Sequence, residues 1–198
     1  MASVTRNPRP LFVTTLPAGY DGQEVFYQST TAGTGGGATD TMADVGAVWH
    51  LRYRAASASA YKWEVVGASA VGMGVATTQS ASLASSTYGV VNADSPKVTV
   101  PLAGNYNVLH IALALADASA NTSVEATVKI NSATPATTSY LCSVYQVPVS
   151  EWQNLSGQGP ETFAKDDALT HVYRQRSGST KTVYRYAASL FITPIRVG

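Results

Sequence analysis

Along most of this chain apolar and polar residues alternate with a period of two, and helical spacing is nearly absent. Over residues 48–54, Trp49, Leu51 and Tyr53 fall on one side and His50, Arg52 and Arg54 on the other. Over residues 61–66, Tyr61, Trp63 and Val65 oppose Lys62 and Glu64. Both stretches predict strands with one buried and one wet face. The small residues 55–60 between them allow a hairpin. A shorter strand is predicted over residues 24–29, after the turn-like Pro17-Ala18-Gly19-Tyr20-Asp21-Gly22. The first ten residues, with Pro8 and Pro10, read as an extended arm.

The second half predicts strands over residues 87–91, 97–100, 105–116, 123–131, 139–147, 168–175 and 182–197, a spacing that suits a β-sandwich. Val124, Ala126, Val128 and Ile130 alternate with Glu125, Thr127, Lys129 and Asn131; Tyr184, Tyr186, Ala188, Leu190 and Ile192 form another stripe. Ser177-Gly178-Ser179 supplies the turn before it. Residues 108–115 are apolar on both faces, with Leu109, Ile111, Leu113 and Leu115 on one and Val108, His110, Ala112 and Ala114 on the other. Such a strand is either central in two layers or covered by a neighbouring subunit. Residues 68–86 are rich in Gly, Ala, Ser and Thr with no periodic apolar face, and read as a linker. The expected organisation is all-β: a small N-terminal module over residues 1–67, the linker, and a C-terminal sandwich over residues 87–198.

Charged residues make up only 13% of the 198, about half of what is usual for soluble domains. Solubility then rests on Ser, Thr, Asn, Gln and Gly, a surface suited to an assembly or to life outside a cell. The net charge is +1 and no Lys/Arg block occurs, so the electrostatic footprint of a nucleic-acid binder is missing. The densest basic stretch, Arg174, Arg176 and Lys181, reads as the rim of two strands. Residues 108–116 are the longest apolar run and too short to span a bilayer. The first residues lack the apolar core of a signal peptide, so synthesis in a cytoplasm is the expectation.

Catalytic and metal chemistry finds little support in the residue pattern. Cys142 is the only cysteine, which leaves no intrachain disulfide or cysteine-based zinc site, and it reads as a small buried thiol. His50, His110 and His171 each lie in a predicted strand, none paired at the i, i+4 spacing of a helical zinc site. Asp166 and Asp167 precede a strand; adjacent strand side chains point to opposite faces, which does not assemble a glycosidase pair. Gly33-Thr34-Gly35-Gly36-Gly37 lacks the Lys-Ser/Thr of a phosphate-binding loop and reads as a connector. No catalytic residue, cofactor or metal is expected. Trp49, Tyr53, Tyr61 and Trp63 could stack sugars, but their alternation with charges fits a small core or a docking surface better. Trp152, in a predicted loop, is the best lone candidate for ligand contact.

Two stretches resemble known families. Residues 45–67, with Trp49-His50-Leu51-Arg52-Tyr53-Arg54 and Tyr61-Lys62-Trp63-Glu64 at their heart, resemble a segment of minor tail proteins of tailed bacteriophages. Leu16-Pro17, Asp21-Gly22-Gln23-Glu24-Val25 and Tyr27-Gln28 belong to the same pattern. Val98 to Val108, with Pro101, Gly104 and Tyr106, and the closing residues 188–197 resemble trimeric jelly rolls of the C1q and tumour-necrosis-factor type. The resemblances imply a virion structural protein that docks on other virion proteins through Trp49, Arg52, Tyr53, Arg54, Tyr61 and Trp63. They also imply a projecting homotrimeric jelly roll, closed around Val108, His110, Ala112 and Ala114, that could touch a host surface glycan. A capsid decoration or head-fibre protein is the alternative of the same class. A carbohydrate-binding or depolymerase module is the alternative of another.

Overall fold

The computed structural model describes residues 11–29, 47–68, 70–75, 79–83, 88–90, 95–116, 122–131, 133, 143–147, 152–175 and 181–198. Among them there is no helix. Thirteen strands follow in order: β1 (Leu11–Val13), β2 (Glu24–Gln28), β3 (Val48–Tyr53), β4 (Trp63–Ala68), β5 (Val71–Val75), β6 (Gln79–Leu83), β7 (Lys97–Thr99), β8 (Gly104–Ala116), β9 (Thr122–Ile130), β10 (Ser143–Val147), β11 (Gln153–Phe163), β12 (Ala168–Gln175) and β13 (Lys181–Val197). They form an all-β sandwich of two sheets, one of nine strands and one of four.

The nine-stranded sheet is organised around β13. Its path is β1-β2-β3-β4-β13-β8-β11. On one flank β13 pairs with β8 over nearly its whole length. On the other it pairs in succession with β6, β5 and β4. The smaller sheet runs β10-β9-β12-β7. β1 lies parallel to β2, and every other pairing among the described strands is antiparallel.

Two features differ from the sequence expectation. Residues 68–86, expected as a linker, carry β5 and β6. β5 shows no amphipathic stripe because glycine takes the places of side chains: the Phe191 ring lies against Gly72, where a Cβ would come within 2.0 Å of it; β6 is made mostly of small polar residues. The strands of residues 1–67 also do not stand apart from those of residues 87–198. β4 is hydrogen-bonded to β13, and one apolar cluster joins Val25, Tyr27, Trp49, Leu51 and Trp63 to Val98, Val100, Tyr106, Phe163, Leu190 and Val197. An aromatic chain crosses the same boundary, from Tyr27 to Trp49 (ring centroids 5.6 Å apart), to Tyr106 (6.2 Å) and to Phe163 (5.8 Å). Such offset and edge-on contacts stabilise beyond the area they bury.

The interior holds a second apolar cluster, in which Ala112 and Ala114 of β8 and Ala188 of β13 meet Val124, Ala126, Leu155, Tyr173 and Val183. Between the two clusters lies a polar layer. His110 of β8 and His171 of β12 face each other across the sandwich, with His110 Nδ1 and His171 Nε2 3.0 Å apart, and both rings are fully buried. Arg185 is also wholly buried. Its charge, together with His110 and above all with burial, keeps the His171 imidazole well below its ordinary pKa.

Candidate functional site

The residues singled out from sequence separate into three places. Trp49 is fully buried and Trp63 is 3% exposed, so neither indole is available for docking. The alternation that put them on one face is real, but that face packs on Tyr106, Val98 and Val197. Tyr53 stands edge-on to Trp63 (5.2 Å) and is half-buried, as is Tyr61. Tyr27, Tyr53, Lys62 and Trp63 line a cleft of about 700 Å³, closed on the far side by Lys165 and Asp166. Asp166 holds a left-handed backbone (φ 67°) in the turn between β11 and β12. Asp167 fixes that turn, accepting hydrogen bonds from Asn131 Nδ2 (2.7 Å) and the Ala164 amide (2.8 Å).

Arg52 and Arg54 point to the opposite, outward face of β2–β4. There Glu24 accepts from Arg52 (2.6 and 2.8 Å) and lies 3.0 Å from His50 Nε2. Arg52 first, and His50 second, hold the Glu24 carboxyl below its ordinary pKa. Arg54 (2.9 Å) and Arg196 (3.1 Å) both pair with Glu64. Next to this charged ladder, Phe12 stacks on Phe26 (5.0 Å) and Phe26 on His50 (4.8 Å). Leu11 and Phe12 are 62% and 66% exposed, and Val48 and Val66 share the exposure. No other described strand pairs with β1, so it is an open sheet edge, the kind of feature that templates contact with another chain.

The expected subunit interface is corrected by the structure. Val108, His110, Ala112 and Ala114 are at most 1% exposed, because β9 and β12 cover that side of β8 within the same subunit. The exposed side is the other one, where Ile111 lies between Leu109 and Leu113. An Ala112→Asp chain is therefore expected to lose several kcal/mol of stability, since a carboxylate would enter an apolar layer without a partner. Thermal denaturation checks this. A variant that keeps its melting temperature and only dissociates would reinstate the interface.

Sequence reasoning saw only half of the third place: it singled out Trp152 as a candidate for ligand contact, but neither strand β11 nor the neighbouring Tyr186. β11 pairs with β8 and makes the outer wall of the large sheet. Across β11, β8 and β13 the outward residues form rows: Asn154–Leu113–Ala187, then Ser156–Ile111–Ser189, then Gln158–Leu109–Phe191. At the end of these rows Trp152 and Tyr186 stand edge-on, with centroids 6.1 Å apart, 40% and 49% exposed. A register shift in β13 between Arg185 and Ala187 turns Tyr186 outward. The sequence alternation put Tyr184 and Tyr186 on one face with Ala188, Leu190 and Ile192, but the register shift splits that stripe, leaving the last three buried and Tyr186 exposed.

On the outer face of the small sheet, Glu125 is wholly buried and bonded by Tyr88 OH and Arg174 Nε, with the Arg174 guanidinium 4.5 Å from the Tyr88 ring centre. Among the described residues no three of His, Cys, Asp and Glu are grouped as metal ligands.

A comparison with protein-family models finds no match, and neither does a comparison with curated proteins. Solved structures give low-scoring likenesses. The CBM22-1 xylan-binding domain of Paenibacillus barcinonensis Xyn10C is 13% identical, with a TM-score of 0.35 over 91% of this chain and 100% of that one. A structure of infectious bursal disease virus, Gx strain, is 9% identical with a TM-score of 0.37 over 92% of this chain and 55% of that one. An isomalto-dextranase of Arthrobacter globiformis, complexed with panose, is 16% identical with a TM-score of 0.27 over 84% and 23%. These likenesses single out no family.

Proposed function

We propose that the protein is a structural component of a tailed-phage virion, of the minor tail or fibre type, that docks through the outward face of β1–β4. The observation that carries this reading is the β1 edge of the large sheet as described, where Phe12, Phe26 and Val66 share the face of the Glu24–Arg52 and Arg54–Glu64–Arg196 pairs. An apolar patch rimmed by charges is the usual composition of a protein–protein contact. The same segment is the one that resembles phage minor tail proteins, and Arg52 and Arg54 keep the attachment role given to them there. Trp49 and Trp63 then shape the face from beneath it without touching the partner. Assembly would proceed by burial of apolar surface, with no bond made or broken. Immunogold labelling of purified particles is the test. Label on the tail is expected, label on the capsid would select a decoration or head-fibre protein, and particles without label would overturn the reading.

A further inference from the structure

We infer that the Trp152–Tyr186 corner and the trough beside it form a binding site for an uncharged polysaccharide. Two large aromatic side chains in mutual contact and 40–49% exposed are not the scattered single apolar residues of an ordinary surface. Their rings meet at 65°, so one can stack on the C–H face of a sugar while the other closes its edge. Each also carries a polar tip, the indole N–H and the phenol O–H, able to bond a hydroxyl. The register shift at Arg185/Ala187 is what places Tyr186 there, and such irregularities in strands commonly re-aim a side chain for use.

The adjoining trough, about 230 Å³, is floored by Ile111, Leu113 and Ala187 and edged by Asn154 and Ser189. Its apolar floor is narrow, because polar Asn154, Ser156 and Gln158 occupy the neighbouring strand only about 4.8 Å away. An apolar strip hemmed by polar side chains lacks the broad apolar centre typical of contacts between subunits. It does match the width of one sugar ring flanked by its hydroxyls. Charge points the same way. Among the described residues, no outward position of β11, β8 or β13 between 154–162, 105–113 and 184–193 is charged. Amides and hydroxyls are the only polar groups offered, which fits a glycan without carboxylate or sulfate.

Native electrophoresis of the full chain through gels containing dextran, a mixed-linkage β-glucan or galactomannan, with polygalacturonate as the anionic control, tests the site. Retardation is expected in at least one neutral gel. Trp152→Ala and Tyr186→Ala should each weaken it tenfold or more with unchanged melting temperature, while Val90→Ala, 40% exposed beside the small sheet, should not. No retardation in any neutral gel, retardation by polygalacturonate alone, or equal retardation of the Trp152 variant would overturn the inference. So would sedimentation showing that Trp152→Ala turns an oligomer into a monomer, which would make the corner a self-contact.

Discussion

A fragment of residues 68–198 is expected to be unable to fold cooperatively, and Trp49→Ala in the full chain is expected to cost about 3–5 kcal/mol. The fragment lacks Val25, Tyr27, Trp49, Leu51 and Trp63, all buried in the cluster that also holds Tyr106, Val98 and Val197. Burial of each such side chain contributes about 1.5–3 kcal/mol, so their joint loss is comparable with the whole stability of a small protein, about 5–15 kcal/mol. The damage is also two-sided. Removing Trp49 uncovers the Tyr106 ring it packs against, and removing β4 leaves the C-terminal end of β13 unpaired on one flank at Arg196 and Val197. Near-ultraviolet circular dichroism and urea denaturation read both effects. A fragment with a cooperative transition of its own would show that residues 1–67 are a separable module, and that the shared cluster adds little to the C-terminal strands.

How much of this was legible in the sequence depended on whether a strand carries its own apolar pattern. β3, β8, β9 and β13 do, and their alternation places Leu51, Val124 and Leu190 inside, while Val108, expected at a subunit interface, and Trp49, expected at a docking face, are inside as well. β11 does not. Its inward row is Leu155, Gly157, Gly159, Glu161 and Phe163, and Pro160 on its outward row suits an edge strand; among the described strands β8 is the one that pairs with it. β5 was hidden for a related reason, since the ring that fills the space over Gly72 belongs to Phe191, more than a hundred residues away. Alternation also fixes which residues share a face but not what that face meets. Both sides of β8 are apolar, and only the position of the small sheet decides that Ala112 is inside and Ile111 outside. The Trp152–Tyr186 corner was out of reach because it joins a residue before β11 to a bulge in β13. Cys142 and Gly33–Gly37, also considered from sequence, lie outside the described residues.

Stability is expected to fall as the pH drops below about 6.5, through His171. The imidazole is fully buried, and desolvation, His110 and Arg185 in that order hold its pKa well below 6.5. The sign follows from proton counting. Below pH 6.5 the unfolded chain binds a proton at His171 that the folded chain refuses, so protons favour unfolding. Above pH 6.5 neither state binds it, and this contribution to stability is complete and constant. The loss continues downward until the depressed folded value is reached. Geometry explains why the folded state refuses. His110 Nδ1 and His171 Nε2 share one hydrogen bond at 3.0 Å, which needs a donor on one ring and a lone pair on the other, and the buried Arg185 guanidinium already brings positive charge to the same layer. A proton on the pair would bury an imidazolium beside that cation, and one on each ring would set N–H against N–H. Urea denaturation at pH 7, 6 and 5 measures the slope, and nitrogen NMR of the histidine rings identifies its source. A His171 ring that titrates near 6.5 in the folded protein would remove the argument. A slope that persists unchanged in a folded His171→Gln variant would assign the acid sensitivity to other groups.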